Sequence, residues 1–170
     1  MKIIEAMKKV KDLDRKAKDL TEKISKHCAD MDYETPVYSD QKQQVSEWLQ
    51  AHRDVIREIG RLKYCIQKTN VLTPVTVVID GHEITRSITE WINRRMTLCA
   101  LEKQSWAILS SRGLKDLRIQ QSQGQIVDAK VRYYYDPRQR DKMFEILSAE
   151  PSLIDSKLEI INATTDLIED

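Results

Sequence analysis

Residues 3–24, IIEAMKKVKDLDRKAKDLTEKI, decide the fold. Ile3, Ala6, Val10, Leu13, Ala17, Leu20 and Ile24 recur at alternating spacings of three and four, with Lys, Asp and Glu filling the positions between them. That period lays the apolar side chains along one stripe of an α-helix, and such a stripe is best buried against a second helix. The partner stripe follows in the sequence: Val45, Trp48, His52, Val55, Ile59, Leu62, Ile66 and Thr69 repeat the pattern. Between the two, Pro36 bars helix continuation, and Asp40 with Gln43 reads as a capping box that opens the second helix. Residues 1–70 are therefore expected to form a long antiparallel helical hairpin of coiled-coil type. Its helices cover about 2–30 and 40–69, each arm on the order of 40 Å long at the usual helical rise.

Beyond residue 70 the period changes. Val75, Val77 and Ile79 alternate into Asp80-Gly81, a two-residue turn signal, and His82 to Thr85 return, so 71–87 predicts a small β-hairpin. Ser87 with Glu90 then reads as a capping box for a helix over 88–113. Its face is Ile88, Trp91, Ile92, Arg95, Leu98, Leu101, Ser105, Ile108 and Leu109, broad enough to expect good coverage. Residues 114–125 read as a polar, Gln-rich loop. Over 126–135, Ala129, Val131, Tyr133 and Tyr135 alternate like a strand. Asp136-Pro137 starts C-terminal helices over 137–168, with Pro151 starting or kinking the last of them and Ile154, Leu158 and Ile161 on one face. The fold class is mainly α (α+β), a helical hairpin with a small β-hairpin and additional packed helices, in one domain over 1–170.

Lys and Arg number 28 and Asp and Glu 27, a net charge of +1, so the chain lacks the basic excess that drives bulk nucleic-acid binding. Cys28, Cys65 and Cys99 are odd in number and show no CxxC spacing, which argues against a disulfide framework and against a zinc site. The N-terminus breaks into charge at once, unlike a secretory signal, and Val75–Ile79 is too short to cross a bilayer. A cytoplasmic protein without a membrane partner is expected.

No GxSxG, phosphate-cradling glycine loop, HExxH or EF-hand pattern is present, and four glycines leave little room for a cradle of backbone amides. The chain is expected not to be an enzyme and to need no cofactor or metal. Cys65 and Cys99 fall beside seam positions and read as small buried hydrophobes. His52 sits on the seam, where a polar residue fixes register. His27 reads as a surface residue beside the core, and His82 as solvated. The suggestive chemistry clusters around the β-hairpin: Thr69, Asn70, Thr73, Arg86, Ser87, Arg94 and Arg95. Guanidinium, hydroxyl and amide donors suit a phosphate or carboxylate. The plainer alternative has Arg94 and Arg95 paired with Glu90 or Asp80, with Thr69 and Asn70 capping the second helix.

Four segments carry a family likeness: Met1-Lys2-Ile3-Ile4-Glu5-Ala6; Ile66 to Asn70 with Thr73; Gly81 with Ser87 to Arg95; and Ile154-Asp155 with Asn162 to Leu167. By these the chain resembles a small bacterial helical family labelled septicolysin. The label implies a cytolysin, for which this sequence offers neither a spanning helix nor a long lipid-facing alternation. The likeness also falls on polar residues, Thr69, Asn70, Arg94, Arg95, Asn162 and Thr165, and that selection favours binding. The leading expectation is a non-enzymatic homo-oligomer that sequesters a small anionic, nucleotide-like ligand. Its site would be Thr69, Asn70, Thr73, Arg86, Arg94 and Arg95. The alternative is a structural or assembly protein acting through helix-mediated protein–protein contacts, and a pore former ranks last.

Overall fold

Both apolar stripes become helices with the expected side buried. The computed structural model describes residues 1–120 and 126–169. Helix α1 runs Ile3–His27 and α2 runs Gln41–Leu72. Ile3, Ala6, Val10, Ala17 and Leu20 are buried from α1, and Val55, Ile59, Leu62, Cys65 and Thr69 from α2. Asp40 Oδ1 accepts the Gln43 amide at 2.8 Å and closes the start of α2, while the Gln43 side chain turns to Glu47 instead of completing a box. The pair is antiparallel: Lys9 meets Glu58 at 2.9 Å, Thr21 Oγ1 lies 3.3 Å from His52 Nε2, and the His27 ring packs on Tyr38 and Trp48.

In place of one undivided domain, the chain divides into two compact units, residues 1–73 with 159 onward, and residues 74–158. The first unit is the hairpin closed by the chain's own tail. Ile3 N donates to Thr165 O at 3.1 Å, Leu167 N donates to Met1 O at 2.8 Å, and Lys2 bridges to Asp166. Leu167 is thereby buried in one cluster with Ala6, Leu62 and Cys65.

The second unit begins with β1 (Pro74–Ile79) and β2 (His82–Ser87), paired antiparallel with Ile79 opposite His82. Asp80 and Gly81 both take positive φ, 49° and 79°, the two-residue turn that the sequence announces. Val75, Val77 and Ile79 point inward, and Thr76 bonds Thr85 across the ladder at 2.7 Å. Ser87 and Glu90 close the predicted capping box on α3 (Ile88–Asn93). Glu90 holds the Ser87 amide first and its hydroxyl second, and these bonds pull its carboxyl below the usual range.

Four expectations need correction here. The helix over 88–113 is broken into α3, a π-turn at Arg94–Leu98 and α4 (Cys99–Ala107). The Cys99 amide donates to Arg94 O, one residue further back than an α-helix allows. The inserted residue turns the face, so Cys99 is buried while Leu98, Leu101 and Ile108 are exposed instead of covered. Residues 114–125 are not all loop, because β3 (Leu117–Gln120) pairs with β4 (Ile126–Ala129); residues 121–125 lie outside the described residues. The strand over 126–135 stops at Ala129, because Asp116 Oδ1 takes the Val131 amide at 2.8 Å and ends the ladder. Finally, 137–168 is one helix, α5 (Pro137–Thr164), followed by the tail, and Pro151 lies inside it instead of starting a new helix. Proline lacks the N–H that Leu147 O would accept, and the Cys99 thiol donates to that carbonyl at 3.2 Å.

Candidate functional site

The strongest polar constellation of the second unit is built on its two helix irregularities. Arg94 opens the π-turn, and Glu150 stands immediately before Pro151 on α5. Arg94 Nε and Nη2 reach Glu150 Oε1 and Oε2 at 2.6 and 2.8 Å, a two-pronged clamp, and Nη1 reaches Glu102 at 2.5 Å. The Glu150 side chain is only 3% exposed and that of Arg94 16%. Those carboxylates outweigh burial and push the Arg94 guanidinium above its ordinary range. The Cys99 thiol, 3.6 Å from Glu150, is pushed up first by burial and then by that carboxylate, which keeps it protonated and a donor.

The other sequence-predicted residues each make contacts of their own. Arg95 pairs with Asp155 and not with Glu90, which is occupied as a cap; Asp80 instead takes Lys142 at 2.8 Å. Arg86 lies 5.3 Å over the Trp91 ring, which is itself fixed by Nε1 donating to Val75 O at 2.9 Å. Thr69, Asn70 and Thr73 belong to the first unit. Thr69 is fully buried: its hydroxyl donates to Cys65 O at 2.7 Å and accepts the Ile168 amide at 2.9 Å, so it ties the tail to α2. Thr73 caps α2 through its amide to Thr69 O. Asn70 Oδ1 is buried and accepts no hydrogen bond.

The charges decide what the constellation can do. One guanidinium, Arg94, faces two carboxylates, so the clamp has no net positive charge to offer an anion, and releasing Glu150 from it would cost on the order of 3–5 kcal/mol. Among the described residues Arg86 makes no direct ion pair, although its charge helps hold the Glu90 carboxyl down and its guanidinium lies over the Trp91 ring. The sequence reading missed Glu150 as the partner of Arg94. The signal was Glu150-Pro151 inside a helical pattern, where a missing amide demands a donor from elsewhere. It also missed the aromatic trio of His27, Tyr38 and Trp48, in which Tyr38 meets both other rings edge-on and ring centroids lie 5.4–5.6 Å apart. A third omission is a groove of about 790 Å³ along α1 beside His52.

No cluster of His, Cys, Asp and Glu with metal-holding geometry occurs among the described residues, and no helix among them is long and apolar enough to cross a membrane. Comparison with protein-family models, with curated proteins and with solved structures found no match to this chain.

Proposed function

We propose that this protein is a non-enzymatic, self-associating helical protein that works through helix-mediated protein–protein contacts. The observation that carries this reading is the row Leu98, Leu101, Ser105 and Ile108. It has the three-four-three spacing of a helix seam, yet its three large apolar members are 47%, 63% and 72% exposed. A surface protein tolerates scattered apolar residues, but a regular row of them marks an interaction face. A second copy carries the same row, and heptad-type rows are buried best by one another. Each such side chain contributes about 1.5–3 kcal/mol when fully removed from water.

Native mass spectrometry of gently purified protein tests this. The expected result is a discrete oligomer that loses subunits in Leu101→Glu; a chain that stays monomeric at every concentration overturns it. A second reading, a small anionic and nucleotide-like ligand, rests on Arg86, which makes no direct ion pair among the described residues and is held against an aromatic face. The same spectra test it: added mass that survives gentle purification and vanishes in Arg86→Ala supports a bound anion, and bare subunits across a nucleotide panel count against it.

A further inference from the structure

The charge of this chain is nearly balanced as a whole but not along its length. Residues 112–138, from beyond α4 into the first turn of α5, hold six Lys and Arg against three Asp and no Glu. The remainder of the chain is therefore net negative, and a basic excess is gathered on one stretch of the second unit. Its three aspartates are already engaged. Asp128 pairs across the ladder with Arg118 at 3.3 Å, Asp116 takes the Val131 amide, and Asp136 Oδ1 accepts the Arg138 amide at 2.9 Å where α5 starts. Arg112, Lys115, Lys130, Arg132 and Arg138 are exposed and, among the described residues, make no ion pair.

The same stretch carries Tyr133, Tyr134 and Tyr135, half of the tyrosines in the chain. Their loop is held at both ends, by the Val131 amide on Asp116 and by the cap at Asp136. The first of these bonds, at 2.8 Å, brings the backbone around Asp116 next to that around Val131, so Lys115, Lys130 and Arg132 gather in one place. Tyr133 and Tyr135 pack edge to face with ring centroids 5.5 Å apart, and each steadies the other. Tyr134, between them, makes no ring contact among the described residues and is 89% exposed. A ring this bare adds little burial to the fold, and both of its faces are open to a flat partner.

We infer that this stretch is a platform for single-stranded nucleic acid, in which Tyr134 stacks on a base while Lys115, Lys130, Arg132 and Arg138 meet the backbone phosphates. Unstacked bases and regularly spaced phosphates are the chemistry that engages both the ring and the cations. A duplex hides its base faces in its own stack, and the carboxylates of an acidic peptide bring no flat face to Tyr134. Leu117 and Ile119 of β3, 61% and 48% exposed, would also suit an anionic bilayer. The five residues that join β3 to β4, however, are Gln, Ser, Gln, Gly and Gln, so the hairpin has no apolar tip to enter one. The platform is distinct from the α4 row and does not depend on the self-association proposed above.

The test uses the full chain and a fluorescein-labelled oligothymidylate of about 12 nucleotides, read by fluorescence anisotropy, with helicity checked by circular dichroism. The expected result is micromolar binding at about 50 mM salt with a log–log salt slope of about −3, from roughly 0.7 per phosphate contacted. Tyr134→Ala weakens binding about tenfold at unchanged slope, and Tyr134→Phe, which keeps the ring, binds like wild type. Arg132→Gln makes the slope shallower by about 0.7. Both positions are exposed, so all three variants keep wild-type helicity. Absence of binding at that salt overturns the inference, as does a Tyr134→Ala variant that binds like wild type, which reduces the platform to charge alone. Equal affinity for a duplex of the same length, or tighter binding to phosphatidylserine vesicles than to the oligonucleotide, overturns it in favour of those partners.

Discussion

Removing either member of the Arg94–Glu150 clamp should destabilise the second unit far more than removing both. In Arg94→Met, the Glu150 carboxylate stays 3% exposed with the Cys99 thiol, 3.6 Å away, as its remaining side-chain contact. Breaking a buried pair in this way costs about 3–5 kcal/mol. For a chain of this length that lowers the melting temperature by roughly 6–20 °C, at about 2–4 °C per kcal/mol. Arg94→Met with Glu150→Met exchanges the pair for apolar groups of similar volume and should return to within about 1 kcal/mol of wild type, since the desolvation cost of both charges disappears together. Glu102→Gln removes the half-exposed member and should cost under about 1 kcal/mol. Urea and thermal unfolding followed by circular dichroism measure these three variants and Glu150→Met alone. A single-variant cost below about 1 kcal/mol, or a double-variant cost equal to the sum of the singles, would refute the reasoning. The outcome also bears on function, because a loss of ligand or partner in an Arg94 variant means little if the variant has melted.

Glu58 is held down to about 2 from an ordinary 4.5, first by its hydrogen bond from Arg61 and then by that from Lys9. Its folded-state pKa is depressed, so its contribution to stability is complete above pH 4.5 and is lost as pH falls toward 2; stability measured across that window should fall less steeply in Glu58→Gln. Leu167→Ala should cost about 2–5 kcal/mol, because the tail residue is part of the hairpin core. Thr69→Val leaves the Ile168 amide unmet at a cost of about 1–3 kcal/mol, and proteolysis should then reach the tail faster than in wild type. Pro151→Ala restores the amide for Leu147 O and should stabilise by about 1–3 kcal/mol, and Cys99→Ala should cost less in that background than in wild type.

The hairpin was legible because its information is local and repeated. Each seam residue is fixed by neighbours three and four positions away, and Asp40, Asp80-Gly81 and Ser87/Glu90 mark boundaries through chemistry confined to a single turn. The tail was illegible for the opposite reason. Leu167 enters the core through its own amide's hydrogen bond to Met1 O and through the neighbouring Ile168 amide, which donates to the Thr69 hydroxyl, contacts between opposite ends of the sequence that no local period encodes. Thr69 shows the confusion this produces. As a sequence symbol it is a polar donor and a candidate ligand contact, whereas in the fold it is a fully buried bridge between α2 and the tail. The arginines failed similarly: a nearby Glu90 or Asp80 offered itself in sequence, while the carboxylates that hold them, Glu150 and Asp155, come from α5.

The irregularities of the second unit explain one another, and that is why none was readable alone. A π-turn in the helix after the β-hairpin, a proline inside α5 and a buried glutamate would each be unfavourable in isolation. Together they close. The π-turn brings Cys99 inward, where its thiol meets the carbonyl that Pro151 leaves without an amide; it also starts at Arg94, whose guanidinium neutralises the glutamate next to that proline. The same inserted residue that turns Cys99 in turns Leu98, Leu101 and Ile108 out. The exposed row is thus a geometric consequence of how this unit is pinned. A change that irons out the π-turn, such as deleting Thr97, should bury that row at the expense of the clamp, and with it abolish whatever assembly the row supports.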